Sequence, residues 1–315
     1  MRPSYLLLAA LCGAASASHV PGLYGLTAQG SLIRLLPNAS STTLSPPQPF
    51  AQAQQLSCVD APRGIFYFIG YANAQPALVG LSLETGATLS TTPLPELYDQ
   101  TYVGIGQYVA IEPASARVFV GGQDSARNHI VGLVDPASGA FEMLANLSSS
   151  LRDVFGGTSA YTPATNELWF ELDLDIMVLN LATKKVDVLP VSEAFGILGM
   201  NLAPSGLVYG LGGGPGEGVR TVVALDPRAR SITPVGSVPD YAMQAGGITA
   251  YDSSTGGIFW LAQKTGAPAS APWFLVQNSV EGGGVMSSAP ICADSSACPW
   301  SLHHAACGGG GALQI

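Results

Sequence analysis

Acidic and aromatic residues recur together at four points of the sequence, and these pairs are its clearest candidates for chemistry. In each pair an aromatic ring follows an acid within three residues: Asp99 and Tyr102, Asp153 and Phe155, Glu193 and Phe195, and Asp240 and Tyr241. Phe50 holds the equivalent aromatic position without an acid. Carboxylates and aromatic faces can together bind a sugar by hydrogen bonds and stacking, or hold a cation through charge and the π face.

The same pairs have a structural interpretation. A need of the fold recurs in every repeating unit, whereas contacts with a ligand seldom repeat. Each ring would then pack between neighbouring units, and each acid would cap backbone N–H groups of its own loop. The sequence favours this packing interpretation and leaves the binding interpretation open.

The elements that position these pairs are internal repeats. A turn followed by a strand that reaches an aromatic residue occurs five times, as APRGIFYF, PASARVFV, PATNELWF, APSGLVYG and SSTGGIFW. The same turn position is held by Gly64, Ala116, Asn166, Gly206 and Gly256. Glycine and asparagine suit a left-handed turn residue, so Ala116 is the exception. An apolar strand, a second turn and a short strand complete each unit.

Four short strands in a repeat of about 40–55 residues predict a β-propeller blade. Five full blades are expected to begin near the residues Gln54, Gly106, Gly157, Gly199 and Gly246. The segment 22–37 is predicted to be the outer half of a sixth blade, with a loop over 38–55. The tail, 293–315, is predicted to supply the inner strands of that blade, because an open sheet edge invites aggregation. The predicted fold is all-β: a six-bladed propeller of four antiparallel strands per blade, with its repeats within 19–292.

The turns also resemble those of the YVTN and quinoprotein-like propellers, which carry a turn of the form L-D-x-x-T-G. The segments LSLETG (81–86) and LVDPASG (133–139) carry the resemblance. It covers most of residues 22–290 and implies a propeller fold. The Y-V-T-N tetrapeptide is absent, and so is the tryptophan that follows the turn in quinone-binding repeats. The resemblance therefore gives no reason to expect a quinone cofactor.

The N-terminus has the pattern of a secretory signal, which we place at residues 1–18. Arg2 precedes the apolar run 5–11, and Ala15-Ser16-Ala17 forms a small-residue cleavage site. The apolar segment is too short to span a bilayer.

The net charge is −9, and loss of Arg2 with the signal makes it −10. A chain this acidic is a poor partner for nucleic acid or anionic membrane. Secretion predicts an extracellular protein, and we expect a monomer.

Four cysteines remain after the predicted signal: Cys58, Cys292, Cys298 and Cys307. An even number in an oxidising compartment predicts two disulfides, with three possible connectivities. Cys58 lies in the inner strand of the first full blade and could join a tail cysteine to latch the ring.

Asn38 and Asn146 begin N-x-S glycosylation motifs, both predicted to lie in surface loops.

Three acids alternate in the segment FELDLDIM, at Glu171, Asp173 and Asp175. On one continuous strand they would share a face of the sheet. A calcium site is conceivable there, but the EF-hand spacing is not met, and a solvated strand face is the favoured interpretation.

The sequence thus predicts a secreted propeller that binds or scaffolds a partner through the loops at the channel mouth, with a carbohydrate or a protein as the ligand. A metal-dependent hydrolase resembling propeller lactonases is the enzymatic alternative. It would use a divalent cation, and Asp99, Asp153, Glu193 and Asp240 are the first ligands to test. An extracellular structural component is the third alternative. No catalytic residue and no cofactor can be assigned from the sequence.

Overall fold

The fold is seen in a computed structural model of the chain. It describes residues 22–27, 30–36, 40–48, 57–72, 75–97, 108–147, 158–172, 175–189, 196–213, 221–238, 240–242, 249–268, 271–292 and 303–305. Within these residues the only helix is a single 3₁₀ turn, Ala61–Arg63. No helix in this part of the chain has the length and apolar character needed to cross a membrane.

Strands account for nearly all of the regular structure. In chain order they are β1 (Gly22–Leu26), β2 (Leu32–Leu35), β3 (Ser41–Thr43), β4 (Ser57–Asp60), β5 (Ile65–Ala72), β6 (Gln75–Ser82), β7 (Thr88–Pro93), β8 (Tyr108–Glu112), β9 (Arg117–Gln123), β10 (His129–Val134), β11 (Phe141–Leu147), β12 (Ser159–Thr162), β13 (Glu167–Leu172), β14 (Asp175–Asn180), β15 (Lys185–Leu189), β16 (Gly196–Leu202), β17 (Val208–Gly213), β18 (Thr221–Asp226), β19 (Ser231–Ser237), β20 (Tyr241–Ala242), β21 (Thr249–Asp252), β22 (Gly257–Lys264), β23 (Trp273–Ser279), β24 (Val285–Cys292) and β25 (His303–Ala305).

These strands form six antiparallel sheets, so the predicted six-bladed propeller is confirmed. Blades 2 to 5 are β4–β7, β8–β11, β12–β15 and β16–β19, each with its strands in chain order from the axis outward. Blade 6 is β21–β24, with β20 paired to the end of β22. The inner strands contact one another in the cycle β25, β4, β8, β12, β16, β21 and back to β25, which closes the ring.

Blade 1 differs from the expectation, although the tail does complete it. The N-terminal segment supplies three strands, β1, β2 and β3, and the described part of the tail supplies β25. Gly22 pairs with Ala305, and Tyr24 pairs with His303. The segment Gly22–Leu26 is therefore the second strand of its blade and not the third. The expected loop over 38–55 contains β3, which was missed because Ser41–Thr43 has no apolar residue to mark it.

The turns at one end of the blades explain the sequence repeats. The residues Gly64, Ala116, Asn166, Gly206 and Gly256 all have a positive φ, between 52° and 85°. Ala116 is thus no exception in conformation, with φ of 62°. The turn between the third and fourth strands of a blade is held differently: a polar residue at its start accepts backbone N–H groups of the turn. Asp135 Oδ1 accepts the N–H of Ala137 at 2.9 Å, as the D of the resembled turn motif should.

Neighbouring blades are joined by buried apolar side chains. Between blades 3 and 4, for example, Phe119, Val131 and Leu133 pack with Leu168 and Phe170. Polar contacts add to this packing: Arg230 of blade 5 forms an ion pair with Glu167 of blade 4, and its guanidinium lies 5.6 Å from the centre of the Trp169 ring. The same glutamate accepts the indole N–H of Trp169 at 3.2 Å.

Two local expectations are wrong. The acids of FELDLDIM do not share a strand face, because the chain reverses after Leu172, and Leu172 pairs with Asp175 across a hairpin. Glu171 is buried, so the solvated-face interpretation fails as well. Asn146 lies in the outer strand β11, paired with Ile130, and not in a loop; its side chain is exposed.

Candidate functional site

The two ends of the propeller differ in the length of their connections. In an antiparallel blade, the turns from the first to the second strand and from the third to the fourth lie at one end. We call this end the turn face; its connections include 61–64, 113–116, 163–166, 181–184 and 227–230. At the opposite end, the loop face, the second strand of a blade is joined to the third, by as few as two residues at 73–74 and 173–174, and the outer strand of one blade ends near the start of the next blade. The chain between these last two strands is longer, spanning 94–107, 148–158 and 293–302. Functional residues concentrate on long loops of a rigid scaffold, so the loop face is the candidate functional surface.

Most of the predicted acid and aromatic pairs fall outside the described residues. These are Asp99, Tyr102, Asp153, Phe155, Glu193 and Phe195. Cys298, Cys307 and Asn38 also lie outside the described residues, as do the predicted signal and most of the tail.

The fourth pair is described, and its two members have different environments. The Tyr241 ring is buried and packs edge-on against Trp260 and Phe274, at ring-centre distances of 6.3 and 6.0 Å. The side chain of Asp240 is exposed, and its carbonyl accepts the N–H of Thr265 at 3.1 Å. At this position the ring serves packing, and the carboxylate is available to solvent. Beside them Lys264, which pairs with Tyr241, places its ammonium 5.6 Å from the centre of the Phe274 ring.

A second polar cluster, which the sequence did not predict, is buried at the loop-face end of blades 3 and 4. Tyr108 and His129 begin strands β8 and β10 of blade 3, and their ring centres are 5.6 Å apart. Phe170 of blade 4 stacks on both rings, at 4.8 Å from Tyr108 and 6.0 Å from His129. Ser159 is the cross-strand neighbour of Phe170. We call Tyr108, His129, Ser159 and Phe170 the interblade cluster.

Burial sets the protonation of this cluster. It lowers the pKa of His129 from 6.5 to about 4, because the charged imidazolium would lose its hydration, so the ring is neutral at pH 7. Burial also raises the pKa of Tyr108 well above 10. The tyrosine ring lies over Gly121, where any Cβ would collide with it, so this glycine makes room for the cluster. A pattern of apolar residues at alternate positions gives no signal for such a site.

Glu171 follows Phe170 in strand β13, and its side chain points to the opposite side of that sheet, toward blade 5. Its Oε1 accepts the N–H of Ile197 at 3.2 Å. Burial raises the pKa of this carboxyl from 4.5 to about 8, and the hydrogen bond only partly opposes that shift. Glu171 is therefore mainly a neutral carboxylic acid at pH 7, which makes it a poor metal ligand.

The described residues contain no group of three or more histidine, cysteine, aspartate or glutamate side chains placed to hold a metal ion.

Cys58 lies in the inner strand β4, as predicted, and carries a buried free thiol. Burial raises its pKa, and the nearby Asp60 carboxylate adds to the effect. Cys292 ends β24, and its side chain is outside the described part.

Comparisons with known proteins agree with the fold. No protein-family model and no curated protein sequence matches this chain. Among solved structures, it is similar to TolB from Acinetobacter baumannii, with a TM-score of 0.62 and 11% identity over 92% of this chain and 67% of that one. It is also similar to a proposed 6-phosphogluconolactonase from Bacteroides uniformis, with a TM-score of 0.55 and 12% identity over 90% of this chain and 98% of that one.

An oligogalacturonate lyase from Vibrio parahaemolyticus is a third similar structure, with a TM-score of 0.51 and 13% identity over 84% of this chain and 71% of that one. Identities this low support the propeller architecture alone, since one fold hosts many unrelated functions.

Proposed function

We propose that the protein is a secreted propeller that binds a partner through its loop face. The observation that supports this most is the difference between the two ends of the ring. Turns of the turn face are short and hydrogen-bonded to themselves, whereas the crossings on the loop face run to 94–107 and 148–158. Long connections on a rigid ring are suited to recognition.

Carbohydrate is the ligand class that we propose first. Asp240 offers an exposed carboxylate at the loop face, and the adjoining strand end brings in the ammonium of Lys264. Sugars are recognised by hydrogen bonds from such groups and by apolar contact with rings. A protein ligand on the same face is the competing class, and the experiment below separates the two.

The extracellular setting belongs to the same proposal. The leader pattern at 1–18 supports secretion, and the exposed side chain of Asn146 could accept a glycan in a eukaryotic host. Pairing among Cys58, Cys292, Cys298 and Cys307 stays a prediction, as does the monomeric state. Non-reducing peptide mapping of the secreted protein tests the cysteines, because an unmodified Cys58 peptide contradicts the latch.

A glycan array probed with the labelled full chain tests the function. We expect a defined subset of glycans to bind, with the signal reduced at least severalfold in Asp240→Ala. The matched control is Glu84→Ala, which removes an exposed acid from the turn face and should bind as the parent does.

Three results would count against the proposal. If no glycan binds above background, the carbohydrate class is wrong. If Glu84→Ala weakens binding as much as Asp240→Ala, the loop face is not the binding surface. If calcium raises the melting temperature and a chelator removes that effect, the metal-dependent hydrolase becomes the better account.

A further inference from the structure

The interblade cluster contains polar atoms that are buried and have no hydrogen-bond partner among the residues that the structure describes. They are the hydroxyl of Tyr108, both ring nitrogens of His129 and the hydroxyl of Ser159. Tyr108 is 0% exposed and His129 is 2% exposed. Leaving a buried polar group unpaired costs about 1–3 kcal/mol. Unpaired groups are few in folded proteins, and an ordered water or ion often explains them.

The side chains that carry these atoms are neighbours at one junction between blades. The rings of Tyr108 and His129 are neighbours within blade 3, and both stack on Phe170 of blade 4. Ser159 pairs directly with Phe170, so its side chain points to the same side of the sheet. One occupant at the junction of the two blades could therefore reach all three polar side chains.

The surroundings favour an uncharged occupant. His129 is flanked across the sheet by Gln123 and Leu147, neither of which carries a charge. Glu171 follows Phe170 in β13 and points the other way, where it accepts the N–H of Ile197. With no opposite charge among these neighbours, a bound ion would lose its hydration without compensation.

The hydrogen-bonding capacity of the three side chains also fits water. A neutral imidazole offers one donor and one acceptor, and each hydroxyl can do either. Internal water molecules typically make about three hydrogen bonds to buried groups that would otherwise be unsatisfied. We propose that Tyr108, His129 and Ser159 hold an internal water molecule that bridges blades 3 and 4. This site is independent of the proposed ligand at the loop face.

The variant Tyr108→Phe tests this site because the two alternatives give opposite signs. If the hydroxyl binds water, its removal breaks a hydrogen bond and should lower the melting temperature by about 2 °C. If the hydroxyl has no partner, its removal relieves a desolvation penalty and should raise the melting temperature. The control is Tyr161→Phe in the same interface, where the hydroxyl bonds Asn166 at 3.2 Å and is exposed.

A crystal structure of the full chain, at a resolution that shows ordered water, provides the second measurement. We expect density within hydrogen-bonding distance of the Tyr108 hydroxyl and a His129 nitrogen. Empty space at that point overturns the proposal, and so does a Tyr108→Phe variant that is as stable as the parent or more stable.

Discussion

Ala116 shows how much a single turn residue can be constrained by its place in a repeat. It has a φ of 62°, in the left-handed region where a Cβ crowds the following carbonyl at a cost of roughly 1–2 kcal/mol. We predict that Ala116→Gly raises the free energy of unfolding by about 1 kcal/mol, because glycine has no Cβ to strain. Urea denaturation of parent and variant measures the difference.

Gly206 gives the matched control for that prediction. It has a φ of 85° at the equivalent turn, and an added Cβ would meet no atom within 4 Å. Any loss of stability in Gly206→Ala therefore reflects backbone strain and not a steric clash. If Ala116→Gly is neutral while Gly206→Ala is destabilising, the left-handed conformation of Ala116 is wrong.

Glu171 gives a pH-dependent prediction. Its pKa is about 8 in the folded protein and near 4.5 in the unfolded chain, so the folded state holds the extra proton between these values. Stability contributed by this group is present below pH 4.5 and is lost as the pH rises towards 8. We predict that Glu171→Gln, which cannot ionise, gains on the parent by about 2–4 kcal/mol between pH 5 and pH 8.

The measurement is the melting temperature of both proteins across that range. His129 is present in both, so its own titration cancels in the difference. A constant difference between Glu171→Gln and the parent from pH 5 to pH 8 contradicts the assignment.

At the residue scale the sequence predicted little of the site. The positions of acids and aromatics could be read, but Tyr241 turned out to be buried against Trp260 and Phe274. The interblade cluster joins residues from four strands, β8, β10, β12 and β13, and no spacing along the sequence predicts it. Burial of Tyr108, His129 and Glu171 depends on how neighbouring blades stack, which a pattern along one strand does not encode.

At the scale of elements, the contact between blades 4 and 5 leads to a further prediction. The Glu167 carboxyl is buried, and Arg230 supplies its ionic partner from the next blade. Removing the arginine leaves a buried charge unpaired, so Arg230→Ala should lower the free energy of unfolding by about 2 kcal/mol. Thermal or urea unfolding at pH 7 checks this.

Arg228 lies in the same turn, is exposed and provides the matched control. We expect Arg228→Ala to unfold as the parent does, and Glu167→Gln to restore part of the stability lost in Arg230→Ala. Equal losses in Arg228→Ala and Arg230→Ala would show that the ion pair contributes nothing specific.

Strands within the repeats were predictable, and a strand outside them was not. Apolar runs such as IVGLV located the middle strands, since such residues suit a buried pleated surface. Strand β3, Ser41–Thr43, is exposed and has no such pattern. The hairpin after Leu172 was missed because two acids at 173 and 175 look like the alternation of one longer strand.

At the scale of the whole molecule, repetition made the fold predictable. Five copies of one unit and a partial sixth predict a ring, because each blade needs a neighbour on both sides to bury its faces. Function had no such repetition to reveal it. The function that we propose rests on the crossings between blades, and a shared propeller architecture says nothing about a ligand there.

Closure of the ring is the central claim, since both faces and every interblade contact depend on it. The strand His303–Ala305 completes blade 1 by pairing with Gly22–Tyr24. The most direct test is hydrogen exchange measured by mass spectrometry on a chain that ends at residue 302, with a chain that ends at 305 as control. We predict that the control keeps the amide protection of 22–26, whereas the shorter chain loses it and unfolds at a lower temperature. Equal protection of 22–26 in both chains would contradict closure by the tail.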